Sequence, residues 1–133
     1  MLSLILALVS VQDADLPPPL ERDYRPSVQC AEHLTDDRAR RSCLNDLLDV
    51  AEDQLGAALD AARSEAREID LDMPGVARAE ANLQAASAAW TTYRDAECAR
   101  RASLLLLGQH GEDERIDCLV VLTRARAAEL AEH

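Results

Sequence analysis

Four cysteines, Cys30, Cys43, Cys98 and Cys118, restrict the folds open to this 133-residue chain more than any other feature. An even number of cysteines in an exported chain points to two disulfides, and three pairings are open on paper. On one straight helix Cys30 and Cys43 would lie about 20 Å apart, whereas a disulfide needs Cα atoms about 4.4 to 6.8 Å apart. A local bridge therefore demands a chain reversal. Leu34-Thr35-Asp36-Asp37 supplies one, because Thr35 or Asp36 can cap a new helix and acids suit its first turn. Gly108-Gln109-His110-Gly111 supplies another between Cys98 and Cys118, with glycine at both edges. The expected bridges are Cys30 with Cys43 and Cys98 with Cys118. A zinc site fits poorly, since no C-x-x-C pair exists and His33, His110 and His133 are scattered. Neither metal nor cofactor is expected.

Export is read from the opening residues. MLSLILALVSV is an apolar run too short to cross a bilayer, and a charged, Pro-rich stretch follows it. The expected organisation is a signal peptide over residues 1–14, a linker over 15–26 and a helical domain over 27–133. Cleavage sites compete among small residues such as Ser10 and Ala14. No cysteine lies close enough behind the apolar run to take a lipid, so a soluble exported protein without an integral membrane span is expected.

The composition then selects helices. There is no Phe, one Trp and two Tyr, so Ala and Leu supply most of the apolar surface. Such side chains, neither β-branched nor aromatic, fill the space between closely approaching helices and are poor sheet formers. The expected fold is an all-α antiparallel bundle of three long helices plus a short N-terminal helix, stapled by two disulfides. The short helix spans Ser27 to Leu34, capped by Ser27. The first long one runs from Asp36 to Leu71, with Leu44, Leu48, Ala51, Leu55, Ala58, Ala62 and Ile69 recurring at helical spacing. Asp72-Met73-Pro74-Gly75 stops it. The second carries Val76, Ala79, Leu83, Ala86, Trp90 and Tyr93 as a seam and continues to Leu104 before Gly108 ends it. The third begins near Glu112 and offers Ile116, Leu119, Val120, Thr123, Ala127 and Leu130 on one face. A first helix about 54 Å long outreaches the third, so part of the first hairpin must project. Its Ala57-to-Ala86 region either pairs with a second copy, giving a homodimer, or stands alone.

Chemistry is harder to find. No G-x-S-x-G, Walker A, G-x-G-x-x-G or H-E-x-x-H pattern is present, and acid pairs on helical faces read as solvated surface. An enzyme is not expected. A formal charge of −11 excludes a nucleic-acid partner and favours a cationic one. The densest cluster is Trp90-Thr91-Thr92-Tyr93-Arg94-Asp95-Ala96-Glu97-Cys98, in which Trp90 and Tyr93 are read as core anchors and Arg94 as an interhelical bridge.

That W-x-x-Y-R-D-A-E-C run, with Cys118 followed by Leu122, Thr123, Arg126 and Leu130, resembles the lysozyme inhibitor LprI-like family of small exported bacterial proteins. The resemblance covers about Cys30 to Leu130. It departs at Gly56, Leu59 and Ser87, where Asn, Tyr and Gln are the family's usual residues. It implies a helical, disulfide-bonded envelope domain, structural roles for Trp90, Tyr93, Arg94, Asp95, Thr123 and Arg126, and inhibition of lysozyme by some members. An acidic protein is steered toward a cationic lysozyme. The expected contact is the Gly108-to-Glu114 loop, anchored by the second bridge and presenting Gln109, His110, Glu112, Asp113 and Glu114. The alternative is a non-catalytic envelope assembly module that works through its projecting hairpin.

Overall fold

The computed structural model describes residues 25–105 and 108–132. The expected signal peptide and residues 15–24 of the linker lie outside them. Four helices follow one another: α1 (Pro26–Gln29), α2 (Asp37–Asp72), α3 (Ala79–Ser103) and α4 (Gly108–Ala131), with a short 3-10 turn at Ala31–His33. No strand occurs among the described residues. The expected all-α class and both bridges are present, with Cα separations of 5.9 Å for Cys30–Cys43 and 5.4 Å for Cys98–Cys118.

Helix α2 starts where its cap was expected. The Asp36 carboxylate accepts from the backbone N–H groups of Arg38 (3.1 Å) and Ala39 (3.0 Å), which have no partner inside the helix. The short N-terminal helix differs from expectation. It breaks after Gln29, Ser27 does not cap it, and the Ser27 N–H donates instead to the buried Asp117 carboxylate at 2.7 Å.

The first turns of α4 lie beside Arg40 and Arg41 of α2, and its last turn shares a surface hollow with Gln54 and Ala58. Thus α4 runs parallel to α2, and α3 runs antiparallel between them in sequence. Leu44, Ala51, Ile116, Val120 and Cys30 form the main core; Cys98, Cys118 and Leu119 form a second cluster joined to it through Leu48. Residues 116–120 are all buried, because α4 is covered by α1, α2 and α3 together. Asp117 and Thr123 survive in this interior since Ser27 and Arg94 donate to them.

Beyond Ala58 the third layer ends. Leu59 to Asp72 of α2, about 21 Å of helix, has only α3 beside it among the described residues, so the hairpin projects as an arm. Small side chains bring the two helices together: Ala66 is buried, and Leu59, Ala62 and Leu83 are half-buried. The arm is closed by Arg67 with Glu80 at 2.9 Å. The Asp70 carboxylate accepts from the N–H groups of Ala79 (2.6 Å) and Glu80 (3.1 Å), so α2 caps α3 across the turn. The turn itself needs left-handed backbone at Gly75 (φ +75°) and at Arg78 (φ +52°).

Three boundaries depart from the sequence reading. Val76 stands in the turn, 76% exposed, rather than in the α3 seam. Helix α3 ends at Ser103, ahead of Leu104. Helix α4 starts at Gly108, not near Glu112.

Candidate functional site

At the stapled base, the N-terminal turns of α2 and α4 meet around Asp113. Its carboxylate accepts from Arg40 Nε (2.8 Å) and Nη2 (2.6 Å) on one oxygen and from Arg41 Nε (3.1 Å) on the other. Arg40 donates further to the Leu34 carbonyl and to Asp37. The Asp113 hydrogen bonds hold the Arg40 pKa above its ordinary value. This arrangement ties the start of α4 to α2.

The Gly108-to-Glu114 segment, expected as a loop, is helical. It forms the first two turns of α4. Gly111 fixes its approach, since a Cβ there would stand 3.2 Å from the Ala102 carbonyl oxygen of α3. Asp113, expected as a partner contact, is 8% exposed and engaged by both arginines, so its carboxylate braces the fold. Glu112 is paired with Arg115 at 2.7 Å, and that hydrogen bond lowers its pKa. Gln109 lies in the first turn of α4, its side chain outside the described part. His110 is exposed and Glu114 half-buried; with Leu34, Leu105 and Asp117 they line a shallow hollow of about 370 Å³.

The family-motif residues converge in the middle of the bundle. The Arg94 guanidinium lies 5.3 Å from the Trp90 ring centroid, donates to the buried Thr123 hydroxyl at 3.2 Å and pairs with Asp95 (2.9 Å) and Glu52 (3.6 Å). One arginine thus joins α2, α3 and α4. Arg126 pairs along α4 with Glu129 at 2.6 Å. Tyr93 is 57% exposed, so it does not anchor the core as expected. Leu59 and Ser87, two of the departures from the family pattern, line one cavity between α2 and α3 at the root of the arm, where the Ser87 hydroxyl is buried without a hydrogen-bond partner among the described residues.

These groups brace the fold. Glu97 accepts from Arg100 and Arg101, and those hydrogen bonds, Arg100's first, lower its pKa to about 2. A carboxylate so held stays ionised at neutral pH and has no proton to give. All four cysteines are consumed in disulfides, which removes them as metal ligands.

The outer face of α2 carries what the sequence reading passed over. Asp46, Asp49, Asp53 and Asp60 lie within about 60° of one another at 100° per residue, on the side opposite Leu44, Ala51 and Leu55. All four are exposed, and Asp46, Asp49 and Asp53 make no ion pair among the described residues. The 3-4-7 spacing of these aspartates was visible in the sequence as a ridge opposing the apolar seam.

A family model described as "Lysozyme inhibitor LprI" matches residues 30–130, the span from the first bridge to the end of α4. No curated protein and no solved structure matches the chain.

Proposed function

The chain belongs to the lysozyme inhibitor LprI family, and we propose that it is an exported, non-catalytic inhibitor that binds a cationic lysozyme through the acidic outer face of α2. The observation that carries this reading is the row of Asp46, Asp49 and Asp53, exposed and without an ion pair among the described residues. Unpaired carboxylates on a rigid helix remain available to an incoming basic surface and are already in place before it arrives. The formal charge of −11 adds long-range attraction. Export is supported by the two disulfides, which persist in oxidising compartments. Among the described residues no helix is long and apolar enough to cross a membrane. His110 and Glu114 at the stapled base are a second contact set for the same partner.

The test is a lysozyme pull-down with the oxidised protein, followed by cell-wall turbidity and association kinetics. We expect slower lysis and an association rate that falls with salt. Asp46→Asn, Asp49→Asn and Asp53→Asn together should slow association about tenfold and flatten the salt dependence. Absence of binding and of protection at micromolar concentration, against both chicken- and goose-type lysozymes, removes the reading for those enzymes.

A further inference from the structure

The end of the arm presents side chains that the fold does not use. Leu71, Met73 and Val76 are 77%, 50% and 76% exposed around the α2–α3 turn. Arg78 follows them, exposed and left-handed (φ +52°, ψ +36°), and its guanidinium has no partner among the described residues. Elsewhere Arg40, Arg63, Arg67, Arg94, Arg100 and Arg115 are each engaged by a carboxylate, while Arg25, Arg38 and Arg124 share with Arg78 the lack of one among the described residues. Arg78 thus adds a cation to three exposed apolar side chains, and the described fold engages none of the four. The turn is also held still. Asp70 caps α3 from across the turn, the Val76 N–H donates to the Met73 carbonyl at 3.2 Å, and Arg67 pairs with Glu80.

We propose that this tip is the element that occludes lysozyme: Leu71, Met73 and Val76 seat on the apolar wall of the glycan cleft, and Arg78 lies against its catalytic carboxylates. The proposal rests on the inhibitor reading and names the part of the chain that enters the site. Two signs of charge are needed. A cationic lysozyme attracts the acidic ridge over its outer surface, but its cleft carries a carboxylate pair, one member of it in apolar surroundings. A cation beside apolar groups complements such a cleft, with Asp72 the one exposed acid between Leu71 and Arg78, whereas the base offers Glu114 and an Arg115-paired Glu112 in place of an apolar set. Shape agrees, since the arm is two helices across and stands about 21 Å clear of α4. Ridge and tip are continuous as well: Leu71 lies about five turns beyond Asp53 on the same line of α2. A pre-set turn loses little freedom on insertion.

Arg78→Gly is the sharpest variant, because glycine takes left-handed backbone without strain and removes the side chain with its guanidinium. With the full oxidised chain and hen lysozyme acting on a soluble chitooligosaccharide, we expect inhibition to weaken at least tenfold while the thermal midpoint stays level or rises. Leu71→Ser with Val76→Ser should do the same, and a cleft-filling trisaccharide of N-acetylglucosamine should compete with the unaltered protein. If the unaltered protein binds but both variants inhibit as well as it does, or the trisaccharide fails to compete, the tip proposal falls and the inhibitor reading stands. If the serine variant instead dissolves a dimer and leaves inhibition unchanged, the tip joins two copies and the proposal is likewise overturned. If the unaltered protein neither binds nor inhibits, the inhibitor reading itself fails.

Discussion

The stapled base and the projecting arm are built from the same kind of helix and held by different means. At the base, three helices share a core of Leu44, Ala51, Ile116 and Val120, two disulfides cross it, and Arg40 and Arg94 bridge elements distant in sequence. In the arm, from Leu59 to Ser87, Ala66 is the single buried residue, and closure depends on one ion pair and one carboxylate cap. An isolated helix pair of this length is marginal in water. The dependence therefore runs one way: loss of the base takes the arm with it, while the arm can open and leave the base intact.

The strongest way to break that asymmetry is to remove a staple. Replacing Cys98 and Cys118 together by Ala frees a loop of 20 residues in the unfolded chain and should cost about 3 kcal/mol. Because a small domain has about 5 to 15 kcal/mol in total, urea unfolding should shift to much lower midpoints, with the arm melting no later than the base. An arm that stays folded after the base has melted would show that the arm folds by itself.

A smaller, local effect is expected from Asp70→Ala. Losing the cap on Ala79 and Glu80 should cost about 1 kcal/mol, confined to the arm. Hydrogen exchange of those two amides should accelerate about fivefold, with Leu44 and Val120 unchanged. Equal acceleration at both ends would mean that the molecule opens only as a whole.

The same division explains what could be read from the sequence. The class, both bridges and α2 were legible, because Leu44, Leu48, Ala51 and Leu55 keep helical spacing and Asp36 is a strong cap; α2 runs one residue later than expected at each end. The α3 seam was misplaced after Trp90. Apolar periodicity selects Tyr93, yet the four-residue step to Arg94 carries the seam, since an arginine covers apolar surface with its stem while its head reaches Thr123 and Glu52. Likewise Gly108 and Gly111 were read as a turn, although Gly111 serves close packing on Ala102. Asp113 looked like surface because nothing local shows that Arg40 and Arg41, over seventy positions earlier, enclose it. The tip was invisible for another reason: Val76 fits an apolar seam equally well whether buried or displayed, and only the turn geometry separates the two.

The smallest expected effect concerns acid. The base holds two carboxylates below their ordinary range, Glu112 through Arg115 and Glu97 through Arg100 and Arg101, the latter at about 2 against an ordinary 4.5. A pKa lowered by folding contributes stability while the group is ionised in both states, so the contribution of Glu97 is complete above about pH 4.5 and disappears as pH falls toward 2. Glu97→Gln should therefore be slightly less stable than the unaltered protein at pH 7, and the two denaturation midpoints should converge between pH 4.5 and 2. Glutamine nearly matches glutamate in helix propensity, so a gap that persists at pH 2 would locate the effect in packing rather than in the ion pairs. Because Glu97 is on the surface of α3 in the stapled base, acid should loosen this end while Asp70→Ala loosens the other, and the two perturbations should add when combined.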